Sequence, residues 1–83
     1  MNDVIVKRVF FKTQNDVIMF SYAMSEFPNK IKVTVKHGDS ERDAKSILGL
    51  LSLNLSDPVD VIFESRDLLD PDKVDKAIYL WEV

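Results

Sequence analysis

The sequence contains no cysteine, two glycines, three prolines and a single histidine among its 83 residues. Without cysteine the chain can form neither a disulfide nor a thiolate metal site, and it has no thiol nucleophile. It also lacks any apolar run close to the roughly 18 residues that a membrane-spanning helix requires. Its first residues do not resemble a signal peptide, so we expect a cytoplasmic protein with no membrane partner.

Basic residues are too few for a typical nucleic-acid-binding surface. The chain has 11 Lys and Arg against 14 Asp and Glu, for a net charge of -3. Because phosphate backbones are bound by dense clusters of Lys and Arg, we expect no nucleic-acid partner. A hydrophobic content of 46% and a charged content of 30% are typical of a globular domain. The length predicts one domain, residues 1–83, with a small core.

The first half of the chain predicts a strand, a helix and a second strand. Residues 4–11 are β-branched and aromatic on both faces, which indicates a strand that is central or is covered by helices on one side. Thr13 and Asp16 approximate a capping box at the start of a helix that Pro28 ends. Residues 31–36 alternate between apolar and polar, as in a half-buried strand. The helix has one apolar face, formed by Val17, Phe20, Met24 and Phe27.

The second half predicts two further strands and two helices. A turn at residues 37–40 leads to a short, charged edge strand at residues 41–44. Ser46 is a natural N-cap for a short helix through about Ser52, and residues 59–63 form another strand. Asp70 and Pro71 open the last helix, whose apolar stripe is Val74, Ala77, Ile78 and Trp81. The order βαββαβα predicts an α+β open-faced two-layer sandwich, a four-stranded antiparallel sheet with three helices on one face.

Residues 45–53 read Lys-Ser-Ile-Leu-Gly-Leu-Leu-Ser-Leu. This segment resembles the serine-bearing helix of HPr, the small phosphocarrier of the bacterial sugar phosphotransferase system, and the resemblance covers residues 4–83. It implies the HPr fold, which has the same order of elements. It also implies that an HPr-type kinase can phosphorylate Ser46. The apolar residues that dock partner proteins in the family correspond here to Ile47, Leu48 and Leu51.

The first helix departs from the family pattern. HPr carries a phosphorylatable histidine followed by Ala-Arg-Pro, whereas this chain has Thr13 followed by Gln14, Asn15 and Asp16. In the family the arginine and the helix amides stabilise the added phosphoryl charge. Thr13 offers a hydroxyl instead of an imidazole, and Asp16 would repel a phosphoryl group. Thr13 and Asp16 are therefore interpreted as a degenerate phosphoacceptor site, for which a plain capping box is the simpler explanation.

The other candidate residues have simple structural explanations. His37 is a displaced phosphoacceptor or, more simply, an exposed turn residue, and no second His or Cys exists to complete a metal site with it. Asp70, Asp72 and Asp75 lie at a helix start, where carboxylates suit the helix dipole. Their spacing is not that of a calcium loop. We therefore expect no metal and no cofactor.

Two functions follow from these observations. The first is a non-enzymatic regulatory adaptor that docks partners at the Ser46 helix and is switched by Ser46 phosphorylation. Its expected partners are phosphotransferase-system components, an HPr-type kinase or a transcriptional regulator. The second is a phosphocarrier that uses Thr13 or His37 as a nonstandard acceptor. No nucleophile–base pair or phosphate loop is present, so we expect no autonomous enzyme, and the charged edge strand favours a monomer.

Overall fold

A computed structural model describes residues 2–53 and 56–83 of the chain. The four strands pair antiparallel in the order β1-β4-β2-β3, which confirms the predicted α+β open-faced sandwich. The elements, in chain order, are β1 (Asp3–Val9), α1 (Gln14–Ser25), β2 (Lys32–His37), β3 (Ser40–Asp43), α2 (Ile47–Leu51), β4 (Val59–Ser65) and α3 (Pro71–Ile78). None of the helices in the described residues is long and apolar enough to cross a bilayer.

One face of the sheet packs against the helices and forms the core. Phe20 of α1 lies at its centre, with its ring centroid 4.9 Å from that of Phe11 and 5.5 Å from that of Trp81, both in edge-to-face geometry. Burial of each such side chain stabilises the fold by roughly 1.5–3 kcal/mol. The buried apolar residues are Val9, Phe11, Val17, Phe20, Met24, Val33, Val35, Ala44, Leu50, Val59, Val61, Phe63, Leu69, Val74, Ile78 and Trp81.

Each helix begins at the N-cap residue that the sequence predicts. The Thr13 hydroxyl accepts from the Asp16 N–H, and the Ser46 hydroxyl accepts from the Gly49 N–H. The Asp70 carboxylate accepts from two backbone N–H groups of the first turn of α3. Such caps are worth about 1 kcal/mol each, because they satisfy N–H groups that have no partner within the helix.

Two apolar residues of the predicted helix faces lie just beyond their helices. Phe27 follows the end of α1 and Trp81 follows the end of α3. The N–H of Phe27 donates to the carbonyl of Met24, and that of Trp81 donates to the carbonyl of Ile78. These bonds between residues three apart tighten the chain into a 3₁₀-type turn. The side chains therefore still reach the core, although the helices end sooner than the pattern indicates.

The first strand lies at an edge of the sheet and not at its centre. The helices cover one of its faces, which contributes Ile5 and Val9 to the core. On the uncovered face, Val4 and Val6 are 48% and 56% exposed. The strand also ends at Val9 and not at Phe11, because Phe11 turns into the core to meet Phe20.

The end of the chain covers part of this edge. Glu82 forms an isolated antiparallel bridge with Val9, and the N–H of Phe10 donates to the carbonyl of Trp81 at 2.9 Å. The N–H of Val83 donates to the carbonyl of Arg8 at 3.1 Å. These bonds satisfy backbone groups at one end of β1 that would otherwise be open to pairing with another strand.

Candidate functional site

The short helix α2 has one buried and one exposed face. Leu50 is fully buried, and Leu53 packs against the core just after the helix. On the other face Leu48 is 83% exposed and Leu51 is 38% exposed, and Ile47 is half-buried between the two faces. We call Ile47, Leu48 and Leu51 the α2 patch. Residues three apart on a helix are neighbours, so Leu48 and Leu51 form one apolar surface.

Ser46 is held at the start of α2 by hydrogen bonds of its hydroxyl and its backbone. Its hydroxyl accepts from the Gly49 N–H at 3.2 Å, and its own N–H donates to the Asp43 carbonyl at 3.0 Å. A Cβ atom at Gly49 would lie only 3.2 Å from the Ser46 Oγ. Glycine inside a helix costs about 1 kcal/mol relative to alanine. At this position it leaves room for the serine cap, which explains a residue that helix propensity disfavours.

Lys45 fixes the start of α2 against the end of α1. Its Nζ donates to the carbonyl oxygens of Phe27, Pro28 and Ile31 at 3.1, 3.2 and 3.1 Å. A lysine beside carbonyls that follow a helix C-terminus stabilises that end of the helix. The acceptors lie 14 to 18 residues earlier in the chain, so no local sequence signal identifies this role.

Arg42 fixes the other end of α2. It lies on the helix-facing side of β3, opposite Val35. Its Nε donates to the Ser52 hydroxyl at 3.0 Å, and that hydroxyl donates to the Gly49 carbonyl at 2.6 Å. A helix of five residues is not stable alone in water. Lys45 and Arg42 therefore hold α2 in place from both ends.

The structure brings the start of α1 next to the α2 patch. Side chains from both regions line one open depression of about 250 Å³. Thr13 of the degenerate phosphoacceptor site and Leu51 of the α2 patch both contribute to it. The two regions are separate in the sequence but continuous on the surface. The lining residues are Phe11, Lys12, Thr13, Gln14, Val17, Leu51, Leu53 and Ser56.

The side chains of Thr13 and Asp16 are both used in capping α1. The Thr13 Oγ1 accepts from the Asp16 N–H at 3.2 Å, and the Asp16 Oδ2 accepts from the Lys12 N–H at 2.9 Å. In the usual capping box the acidic side chain returns to the N-cap N–H, whereas here it reaches one residue further back. The positive end of the helix dipole therefore already has a carboxylate beside it.

His37 lies apart from this surface. It is the half-buried last residue of β2, where the sequence suggests an exposed turn residue. Its Nε2 lies 3.6 Å from Asp57 Oδ2, and it does not line the depression beside Thr13. Across residues 2–53 and 56–83, no group of three or more His, Asp or Glu side chains is placed to hold a metal ion.

Lys7 joins β1 to α3 on the helix-facing side of the sheet. Its Nζ lies 2.7 Å from Asp75 Oδ1 and 3.7 Å from Glu82 Oε2. The hydrogen bond to Asp75 raises the pKa of Lys7 above its usual 10.5, against a smaller opposing effect of desolvation. Residues of this cluster do not line the depression between α1 and α2, so we assign the cluster to the fold and not to the site.

No protein-family model matches the sequence, and no curated protein matches it significantly. The resemblance to HPr therefore remains a prediction from the sequence, and its most specific residues are 45–53. Any function has to be argued from the surface that they form.

Proposed function

We propose that this protein is a non-enzymatic, HPr-like regulatory adaptor of the cytoplasm that docks partner proteins through α2. The observation that carries the proposal is the exposure of Leu48 and Leu51 on a helix that is held at both ends. Exposed apolar patches commonly mark protein interfaces. A helix that is already fixed loses little conformational entropy on binding, which favours docking.

The docking surface extends beyond α2 to the start of α1. A partner that covers Leu51 would also contact Thr13 and Gln14, since these residues line the same depression. Both regions that the HPr resemblance singles out then belong to one interface. We propose that its partners are a phosphotransferase-system component, an HPr-type kinase or a transcriptional regulator.

Phosphorylation of Ser46 is the proposed switch. A phosphate adds a charge of about -1.5 to -2 directly before Ile47 and Leu48. The neighbouring Lys45 ammonium is already bound by three carbonyl oxygens, so it is not positioned to neutralise the new charge. The charge would therefore face the partner, and it would exclude apolar partners in favour of basic ones.

The alternative, a phosphocarrier using Thr13 or His37, has weaker support. The Thr13 hydroxyl is engaged in the helix cap, and the Asp16 carboxylate lies where a phosphoryl group would need stabilisation. His37 is next to the carboxylate of Asp57. A like charge beside the acceptor raises the energy of the phosphorylated form, so neither residue is placed for reversible transfer.

Intact-mass spectrometry after two parallel incubations separates these functions. One tube contains enzyme I with phosphoenolpyruvate, and the other contains an HPr-type kinase with ATP. We expect one phosphate in the second tube only, and its loss in Ser46→Ala. A phosphate in the first tube that is lost in Thr13→Ala or His37→Ala would establish the phosphocarrier instead.

Docking is tested by titrating the HPr-type kinase with the protein in a calorimeter. Leu48→Ser should weaken binding at least tenfold, because it removes the most exposed apolar side chain of α2. Leu68→Ser is the matched control, since Leu68 is 91% exposed but lies outside the α2 patch. Unchanged binding by Leu48→Ser, with a normal thermal midpoint, would exclude α2 as the docking surface for this partner.

A further inference from the structure

The sheet face that points away from the helices carries an ordered pattern of charge. Paired residues, one from each strand, form rows across this face. In the first row the charges alternate in sign from β1 to β3, and its members are Arg8, Asp60, Lys36 and Glu41. The middle row places Ile62 and Thr34 on its two central strands. Its full membership is Val6, Ile62, Thr34 and Asp43, and the third row is Val4, Glu64 and Lys32.

We propose that this open face binds a second copy of the chain, face to face, about a two-fold axis that runs parallel to the strands between β4 and β2. This rotation keeps every row in place and reverses its order, so β1 faces β3 of the partner and β4 faces β2. Arg8 then lies over Glu41 of the other copy, and Asp60 lies over Lys36. In the third row Glu64 lies over Lys32.

Each of these charge contacts joins opposite charges, and the symmetry repeats each of them, whereas in the middle row Val6 lies over Asp43 of the other copy. The centre of the interface places Ile62 over Thr34 of the other copy. Thr34 is itself 8% exposed and, like Ile62, lines an open depression of about 620 Å³ on this face. Two-fold interfaces require such self-complementarity, since each patch meets its own copy. The charge pattern of the open face satisfies that requirement.

The charges also disfavour a dimer with a different two-fold axis. A two-fold axis perpendicular to the strands, in the plane between the sheets, would exchange the first and third rows within each strand. Glu64 would then face Asp60, and Lys32 would face Lys36. These like-charge contacts oppose association. Of these two axes, only the parallel one brings opposite charges together, so the charge pattern favours one geometry as well as one surface.

The expected dimer is weak. Four strands about 4.8 Å apart and about five residues of each strand give a face of roughly 300 Å² per copy. A standard stable interface buries about 800 Å² per partner, so this contact belongs to the weak, transient class. The helices pack on the opposite side of the sheet, so the α2 patch stays exposed in the dimer. This inference therefore stands independently of the proposed function and replaces the expectation of a monomer.

Arg8 and Glu41 provide the cleanest test. They lie on the two outer strands, about 14 Å apart within one chain, so they do not form a pair there. Arg8→Glu alone puts two negative charges opposite each other twice in the dimer, and Glu41→Arg alone puts two positive charges opposite each other twice. In a one-to-one mixture of the two variants both contacts become attractive. The double variant R8E/E41R likewise restores opposite charges.

Sedimentation equilibrium up to about 1 mM protein, where a weak dimer is populated, is the measurement. For the native chain we expect the weight-average mass to rise from 9.5 kDa toward twice that value. We expect the rise to disappear as salt increases from about 0.1 M to about 1 M, which shortens the screening length from about 10 Å to about 3 Å. Each single variant should remain monomeric, whereas their mixture should associate like the native chain.

Three results would overturn the dimer. These are a native chain that stays monomeric at the highest concentration, single variants that associate as well as the native chain, and a mixture that fails to associate. Thermal unfolding of each variant confirms that it is folded. Because the mixed sample contains the same two folded proteins that are monomeric alone, a change in monomer stability cannot imitate the expected recovery.

Discussion

At the scale of single residues, one buried hydroxyl lacks a hydrogen-bond partner among the described residues. Ser21 of α1 is 1% exposed, and its Oγ has no hydrogen-bond partner among the described residues. A helical serine can donate to the carbonyl four residues earlier, as Ser25 does to the Ser21 carbonyl at 2.8 Å. Ser21 makes no such bond. A buried polar group without a partner costs about 1–3 kcal/mol.

Replacing this residue should therefore stabilise the protein. We expect Ser21→Ala to raise the free energy of unfolding by about 1 kcal/mol, since it removes an unpaired hydroxyl and improves helix propensity. For a domain of this size that is a rise of about 4–8 °C in thermal midpoint, measurable by circular dichroism. Ser25→Ala, at the exposed end of the same helix, removes a hydroxyl that is already hydrogen-bonded and should therefore give no such gain. A lower midpoint for Ser21→Ala would show that the hydroxyl has a stabilising partner.

Residue roles could be predicted from the sequence where the interaction is local. The N-caps Thr13, Ser46 and Asp70 each bond to an N–H two or three residues later, so the pattern contains both partners. The role of Lys45 depends on carbonyls at the end of another helix, and the orphan hydroxyl of Ser21 depends on how α1 packs. Neither could be predicted before the fold was known.

At the scale of elements, the type of each strand and helix and their order along the chain could be predicted better than which strands lie side by side in the sheet. Alternation along β2 and β4 identifies half-buried strands, because one face of each meets the helices. For β1 the sequence left two alternatives, a central strand or a strand covered by helices on one side, and the structure shows the second, with Val4 and Val6 on the open face at the sheet edge. Strand order depends on pairing across the whole chain, which periodicity does not contain.

The joint between α2 and α1 depends on Lys45. We expect Lys45→Met to lower the free energy of unfolding by about 1–2 kcal/mol, because it removes a cation from three carbonyl oxygens, two of them in half-buried hydrogen bonds. Lys30→Met is the matched control. It removes an exposed lysine whose ion pair with Asp67 is also exposed, a type of pair worth about 0–1 kcal/mol. Urea denaturation measures both, and equal effects would contradict a special role for Lys45.

The ion pair that Lys7 makes between β1 and α3 should lose its stabilising effect at alkaline pH. The pKa of Lys7 is raised above 10.5 in the folded chain. The charged Lys7 therefore contributes its full stabilisation of the fold below pH 10.5, and this stabilisation is lost as the pH rises through the raised pKa. We expect the difference in thermal midpoint between the native chain and Lys7→Gln to be constant near neutrality and to shrink above that pH. Lys76→Gln, which removes the exposed lysine beside Asp75, should show no comparable loss.

At the scale of the whole molecule, the end of the chain is tied to both layers. Trp81 is the single tryptophan, and its ring packs edge-to-face against Phe20 of α1. Its carbonyl also accepts from Phe10, just after β1. Separation of this residue from its surroundings therefore breaks contacts with α1 and with the chain that follows β1.

Unfolding should accordingly be a single transition. We expect the urea midpoint from tryptophan fluorescence to coincide with the midpoint from far-UV circular dichroism, as for a two-state domain. Both probes follow one event if the contacts of Trp81 are part of the common core. A fluorescence transition at clearly lower urea would mean that the C-terminal residues detach before the sheet melts.

The strand order also determines when each strand can pair with its neighbour during synthesis. β2 and β3 are adjacent in the sequence and can form a hairpin as soon as both have left the ribosome. The sheet partner of β1 is β4, which emerges about 50 residues later and hence seconds later at about 5–20 residues per second. During that interval the valines of β1 have no strand beside them. The nascent chain therefore presents its first strand to chaperones, and to neighbouring chains, until β4 is made.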